Sequence, residues 1–405
     1  MTLVPANEAE LVEAIRTADG PLAIRGGGTR PTGRPVDGTA LCTDRIAGIT
    51  LYEPGALTLV ARAGTPLTEI DAALATENQM LAFEPMDHRP ILGTAGEPTI
   101  GGVVAANISG PRRVSAGACR DFLLGVRFVD GQGNVIKNGG RVMKNVTGYD
   151  LVKLMAGSYG TLGVLTEVAL KVLPRPEAEA TLTFRDLPPE RAVAAMAAAL
   201  GTPFEVTGAT YGPADWDAPG PVRLRLEGMA SSVAYRARRL AGALSSFGEA
   251  EVEDDPEESR KIWSDLRDVK ALADHPFVAR SAMKPTGSVE FTRTIGQTLR
   301  GTDFYDWGGG RVWTGASADD LRANAADAAD PARRDDPDEG GAILLGAMQE
   351  YMRLAGGHTT LVKAGAALRR EVAPFQALSA PVARLTEGLR RKFDPRGILN
   401  PGLMG

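Results

Sequence analysis

Three short stretches of this chain join glycines to side chains able to hold an anion: Arg25-Gly26-Gly27-Gly28-Thr29, Pro98-Thr99-Ile100-Gly101-Gly102 and Gly160-Thr161-Leu162-Gly163-Val164. In the second, Thr99 is placed to cap a helix whose first-turn N–H groups have no intrahelical acceptor. Gly101 and Gly102 leave no Cβ in the path of a ligand approaching that end, and such an end attracts phosphate. The first stretch is a loop with almost no side-chain bulk, and the third is a further glycine turn. All three suit a diphosphate held by backbone amides rather than by lysines. Residues 93–163 carry 15 of the 48 glycines, so function is expected to concentrate there.

Strands and helices must end at these loops to position them. Residues 21–25 read as a strand running into the first loop, after a short helix that opens with the capping box Asn7-Glu8-Ala9-Glu10 and stops at Gly20. A strand over 57–62 and a helix begun by Thr65 and Pro66, burying Leu67, Ile70 and Leu74, are scaffold. Residues 121–130 read as a strand that returns through Gly131-Gln132-Gly133-Asn134 as a hairpin. Gly148-Tyr149-Asp150 leads a short helix, and the third glycine turn delivers the chain into a half-buried strand over 164–173. Pro174-Arg175-Pro176 then stops both helix and interior strand and marks a domain boundary. Beyond it, strand 181–185, helix 189–200, strands 205–211 and 222–227, helix 232–245 and strand 249–253 follow the split βαβ order of a ferredoxin-like fold. Residues 317–341, rich in Asp, Ala and Pro, read as an exposed and mobile excursion. A helix over 342–354, a strand over 358–363 and a helix over 381–392 precede a patterned tail.

Composition narrows the chemistry. At 405 residues, 43% hydrophobic and 23% charged, the chain is ordinary globular protein with room for two or three cores. Its net charge of -5 argues against a nucleic-acid partner. No run reaches the ~18 apolar residues of a spanning helix, and no secretion signal opens the chain. It is therefore expected in the cytoplasm, meeting the inner face of the membrane only through partners. Cys42 and Cys119 cannot supply four thiolates to an iron–sulfur cluster, so an electron carrier is an organic cofactor or sits on a partner. His88, His275 and His358 are too far apart in sequence to suggest a metal site. There is no G-x-x-x-x-G-K-[ST] loop, no Rossmann fingerprint and no nucleophile elbow. A flavin dinucleotide remains.

The run Ile24-Arg25-Gly26-Gly27-Gly28-Thr29, with Thr99-Ile100-Gly101-Gly102, Asp121, Gly148-Tyr149-Asp150 and Gly160-Thr161-Leu162-Gly163, resembles the FAD domain of the vanillyl-alcohol oxidase or PCMH type. Phe393-Asp394-Pro395 with Leu399-Asn400-Pro401-Gly402 resembles the terminal motif of FAD-linked oxidases of that family. Phe83-Glu84-Pro85, Ser109-Gly110-Pro111-Arg112-Arg113, the stretch 142–150 and Gly356-Gly357-His358-Thr359-Thr360-Leu361 are similar to the FAD-binding subunits of bacterial glycolate oxidase complexes. The resemblance implies an α+β chain with three parts. These are a two-subdomain PCMH-type FAD-binding domain over 1–175, a ferredoxin-like α+β cap for substrate or partner over 176–370, and a C-terminal helix and tail over 371–405 that returns to the flavin.

By the same resemblance, Arg25 and Gly26 to Thr29 would hold the FAD diphosphate from one side. Pro98, Thr99, Ile100, Gly101 and Gly102 would hold it from the other, with Asp121 part of the same site. Gly160, Gly163 and Val164 would lie along the ribityl and adenosine part, and Asn400 would approach the flavin ring. Arg113 would neutralise phosphate charge, or else lie with Arg112 on the surface. Thr29 stands where covalently flavinylated members usually carry histidine, so FAD is expected to be non-covalent, with Cys119 a small buried thiol. The histidine-rich H-x-G-D-G-N-x-H motif of related catalytic subunits is missing, and His358 is the one histidine beside a motif that could face the flavin. Lys144, Tyr149, Trp263, Arg267 and Lys363 are read as site or as scaffold. The implied partners are a catalytic flavoprotein subunit, an iron–sulfur subunit and a small 2-hydroxy acid. Three functions compete: a component of a glycolate dehydrogenase that passes electrons to a membrane acceptor, an assembly subunit that holds FAD or an empty FAD-like cavity, and a self-sufficient D-2-hydroxyacid dehydrogenase.

Overall fold

In the computed structural model, which describes residues 2–141, 148–215, 219–326 and 328–404, strands β1 (Thr2–Leu3), β2 (Leu22–Arg25) and β3 (Thr39–Cys42) form a parallel sheet in the order β1-β3-β2. Helix Glu8–Arg16 covers it. Asn7 caps this helix by accepting from the Glu10 amide at 3.0 Å, and Leu11 and Ile15, four residues apart on one face, are buried against Leu22 and Leu41. The C-terminal tail closes the same core. Leu22 donates its N–H to Ile398 at 2.8 Å, and the Asn400 N–H returns to Leu22 at 3.1 Å.

The second subdomain contains β4 (Ile49–Glu53), β5 (Thr58–Arg62), the short β6 (Gln79–Met80), β7 (Leu123–Val129), β8 (Val135–Gly139), β9 (Val164–Lys171) and β10 (Leu173–Pro174). Five of these make an antiparallel sheet, β4-β5-β9-β7-β8, while β6 pairs with β10. The expected hairpin is β7–β8, its turn pinned by Asp130 Oδ1, which accepts from the Gln132 and Asn134 amides at 2.9 Å each. The strand starts later than the sequence suggests, because Cys119–Phe122 is a helical turn that Asp121 closes by accepting from the Ala118 amide at 2.8 Å.

The cap is one antiparallel eight-stranded sheet of β11 (Ala178–Leu187), β12 (Val206–Asp215), β13 (Gly220–Gly228), β14 (Glu251–Glu253), β15 (Phe277–Ala282), β16 (Thr302–Asp306), β17 (Arg311–Ala316) and β18 (His358–Lys363). Its order is β14-β11-β13-β12-β16-β17-β15-β18. The first four strands have the expected ferredoxin-like order, fourth-first-third-second. The last four repeat it in reverse, second-third-first-fourth, so the cap is a duplicated unit joined where β12 pairs with β16.

The described residues of 317–341 correct the expectation of a loose excursion. Ser317 and Asp320 form a reciprocal capping box that starts helix Ala318–Ala325, and Asp336 caps the long helix Pro337–Ala355. These are the crossover between β17 and β18, with Leu321, Asn324 and Ala325 buried.

Alternation along the cap strands decides what faces the N-terminal subdomains. Phe277, Ala279, Val312 and Leu361 pack into the cap's own core, whereas Val278, Trp313 and Val362 join the core of the five-stranded subdomain. Arg280, Arg311, His358 and Thr360 share that second face by register, since Arg280 pairs with Trp313 and Thr360, and Ala282 pairs with both Arg311 and His358.

Candidate cofactor site

A cleft of about 380 Å³ opens between the two N-terminal subdomains, completed by the tail. Arg25, Gly26, Gly27, Gly28, Thr29, Thr99, Gly101, Gly102, Gly160, Gly163, Val164 and Asn400 all line it. Pro98, Ile100, Arg113 and Asp121 are not among its lining residues. The Pro98 carbonyl accepts from the Leu67 amide at 2.9 Å, and the Ile100 side chain is fully buried in the core. Asp121 serves its own helical turn, and Arg113 lies over the Trp307 ring at 4.4 Å.

The source of backbone donors differs from the sequence reading. Around helix Ile100–Ala105 the first amides are already used: Ile100 donates to Thr65 O at 3.0 Å, Gly101 to Ala63 O at 2.8 Å and Gly102 to Thr99 Oγ1 at 3.3 Å. The amides of Gly26, Gly27, Gly28 and Thr29, by contrast, find no acceptor among the described residues. The glycines mostly let loops meet each other. A Cβ on Gly27 would lie 1.7 Å from Glu97 O, and one on Gly26 would lie 2.2 Å from Thr99 Oγ1. Gly28, at φ +73°, has nothing within 4 Å and faces open space.

Two arginines that line the cleft strengthen its anion character. Arg30 donates through Nη1 to Gly102 O at 2.8 Å, and Arg369 donates to the carbonyl of Pro31; each keeps a buried Nε without a partner. Burial pushes the Arg30 guanidinium down to about 10, still charged at neutral pH. The free amides of Gly26 to Thr29 and two guanidinium groups lining the same cleft give it a donor set that suits an anion such as a diphosphate. Asn400, at φ +46°, lines the cleft while bracing it. Its Oδ1 accepts from the Ile24 amide and its Nδ2 donates to Tyr159 O, both at 2.8 Å. Tyr159, also left-handed at φ +52°, carries the wall toward the cap, where its hydroxyl meets Arg280 Nη2 at 3.3 Å.

Two groups of charge cross the seam between cofactor domain and cap. In one, Glu84 accepts both Arg225 nitrogens, at 2.8 and 2.9 Å, while Arg112 holds Glu227 at 3.0 and 2.5 Å. Arg112, for which the surface was one of the alternatives, is thus buried in an ion network. In the other, Arg113 from the cofactor domain and Arg311 from β17 lie over the same Trp307 ring, at 4.4 and 3.3 Å, and Trp307 Nε1 donates to Gly110 O at 3.0 Å. His358 stands exposed at the start of β18. Partial burial and then the nearby cations Arg280, Arg311 and Arg113 lower its basicity, so the neutral imidazole is favoured.

The remaining candidates are scaffold. Trp263 is buried and donates to Thr181 Oγ1 at 2.8 Å, Arg267 pairs with Asp268, and Lys363 donates to Ala273 O at 2.7 Å. Cys119 is fully buried and burial pushes its thiol up, which makes it inert. Tyr149 is 87% exposed, and Lys144 lies outside the described residues. Arg280 and Arg311 escaped the sequence reading, although each is a charge inside an otherwise apolar or small-residue strand, the signal that would have singled them out. Arg30 and Arg369 gave no comparable signal.

Residues 1–139 match the model of an FAD binding domain family. The chain is 36% identical over 385 residues to glycolate oxidase subunit GlcE of Escherichia coli (strain K12), covering 95% of this chain and 92% of that protein. It is 33% identical over 165 residues to glycolate oxidase subunit GlcD of Bacillus subtilis (strain 168), covering 40% of this chain and 34% of that one. Among solved structures, an alkyldihydroxyacetonephosphate synthase superposes with a TM-score of 0.67 at 16% identity, over 98% of this chain and 76% of the other, a likeness of fold.

Proposed function

Because the chain belongs to the family of glycolate oxidase subunit GlcE, and so is an FAD-linked oxidoreductase of the PCMH type, we propose that it is the FAD-binding component of a glycolate dehydrogenase. In this reading glycolate is oxidised to glyoxylate, and the electrons leave through the flavin and an iron–sulfur partner subunit toward a membrane acceptor, with a catalytic flavoprotein subunit in the same assembly. The observation that carries it is the likeness to GlcE across 95% of the chain, because that span takes in the cap as well as the cofactor domain. No helix of the described residues is long and apolar enough to cross a membrane, which suits contact with a membrane through partners.

FAD, when bound, supplies the acceptor for the hydride that leaves the α-carbon. The chain's own part is to hold and orient. Free amides of Gly26 to Thr29, with Arg30 and Arg369, take the diphosphate, and Tyr159 and Asn400 fix the wall between the cleft and the cap. FAD is held without a covalent bond, since Thr29 offers no imidazole and Cys119 is a buried, un-ionised thiol that does not line the cleft.

The test is to purify the full chain, release its flavin by denaturation, and separately mix the loaded chain with glycolate without oxygen. Released free FAD together with bleaching of the visible flavin band supports the proposal. Bleaching only after the catalytic flavoprotein subunit is added would assign an assembly role instead. A colourless protein that yields no FAD would refute the proposal and leave only an assembly role with an empty cavity.

A further inference from the structure

We propose that Arg280, Arg311 and Arg113 form the seat for the carboxylate of the substrate, at the seam between the cap and the cofactor domain; this rests on the reading of the chain as a 2-hydroxy-acid oxidoreductase. Register puts Arg280 and Arg311 on the face of the cap that meets the cofactor domain, and Arg113 reaches the same place from the other side. The three are not held by acids. Among the described residues no carboxylate lies within 4 Å of any of them. Asp306, opposite Arg311 across the β16–β17 pair, attracts it through space without contact and uses its Oδ1 on the Trp307 amide at 2.7 Å.

Each guanidinium carries five N–H donors. Arg280 uses one on Tyr159 and Arg311 one on Ser109 O at 3.4 Å, while the Arg113 guanidinium makes no hydrogen bond among the described residues. The other arginines buried at the seam behave differently, because Arg112 and Arg225 are satisfied by Glu84 and Glu227. Clustered cations with no carboxylate in contact repel one another, and an added anion relieves that repulsion through their unused N–H donors. Exposed His358 and half-buried Arg113 and Arg280 leave the cluster reachable. Tyr159 lines the cofactor cleft and touches Arg280, so an acid seated here lies beside the cofactor wall.

The test uses the full chain loaded with FAD and titrated calorimetrically with oxalate, a dicarboxylate that cannot be oxidised at an α C–H. Wild type should bind it, and Arg280→Gln should weaken binding about 10- to 100-fold, the loss expected for a charge-assisted hydrogen bond. Arg280→Lys should recover part of that affinity, and FAD content should not change. Arg113→Gln, altered on the other domain, should give the same pattern if Arg280→Gln fails to fold. Oxalate binding unchanged in both Gln variants, or undetectable in FAD-loaded wild type, overturns the proposal. If oxalate binding depends on Arg280 while glycolate never reduces the flavin, the anion seat stands and the glycolate reading falls.

Discussion

Replacing Glu84 by Gln probes how the cap is fixed to the cofactor domain. Glu84 belongs to the cofactor domain, yet both its oxygens accept from Arg225 of β13, and Oε2 also accepts from the Arg112 amide at 2.7 Å. Arg225 is 1% exposed, so its charge has no recourse to water. Glutamine keeps one acceptor but turns an N–H toward a guanidinium N–H and removes a counter-charge, leaving Glu227 to face two buried arginines. Removing one partner of a buried ion pair costs about 3–5 kcal/mol. With an unfolding entropy of roughly 2 cal/mol/K per residue, a chain of this size loses about 4–6 °C of Tm if it unfolds as one unit. The assay is a thermal melt of the FAD-loaded chain, run for Glu84→Gln, Arg225→Met and the double variant as a cycle. The double variant should lie well above the sum of the singles, because an apolar side chain in place of the buried cation removes the stranded charge. Strict additivity, or a Glu84→Gln melt within 1 °C of wild type, would show on the order of zero coupling and refute the lock.

Three further outcomes follow from the same geometry. Gly27→Ala should lose FAD and lower the Tm, because its Cβ would lie 1.7 Å from Glu97 O, whereas Gly28→Ala should keep FAD at a cost of about 1–2 kcal/mol for its left-handed φ; equal FAD loss in both would contradict the distinction. Gly102→Trp places an indole in the cleft from a position with only Thr99 Oγ1 nearby at 3.3 Å, so the apoprotein should fold and retain no FAD, as flavin content per chain would reveal. Burial raises the Glu179 carboxyl to about 7, against the pull of Arg225 and with Glu227 adding to the rise. Its folded pKa exceeds its unfolded one, so its contribution to stability is present below about 4.5 and is lost as pH rises through 7. Glu179→Gln should flatten that part of a stability-against-pH curve, and an unchanged slope would assign it to another group.

The sequence carried the cofactor domain further than the cap, for physical reasons. Glycine loops joined to strand ends announce themselves locally, and twelve of the predicted residues share one cleft. What local reading could not supply was the identity of each glycine's neighbour. Gly26, Gly27 and Gly101 looked free to admit a ligand, but their missing Cβ atoms make room for Thr99, Glu97 and Ala63. The first ferredoxin-like unit was legible from its order of strands and helices, whereas the second was hidden by a long crossover whose Asp- and Ala-rich composition resembles a loop. There the capping pair Ser317 and Asp320 was the overlooked signal. Arg280 and Arg311 stand out locally as charges in apolar or small-residue strands, but that they share one face follows only from the sheet register.

The duplication gives the seam its two different ends. β13 and β17 are the third strands of their respective units, and each turns its charged residues toward the cofactor domain. On β13, Arg225 and Glu227 meet Glu84 and Arg112, so the charges close on themselves and that end of the seam is fixed. On β17, Arg311 meets the carbonyl of Ser109 and a second arginine, Arg113, across the Trp307 ring, and among the described residues no carboxylate is in contact with either. If packing alone shaped the second end, an acid would be expected at a position like 109 or 110, as Glu84 serves the first. Instead Ser109 and Gly110 supply carbonyls to Arg311 and Trp307, orienting those side chains without neutralising them. One end of a repeated scaffold is thereby locked, and the other keeps positive charge available to an anion next to the cofactor wall.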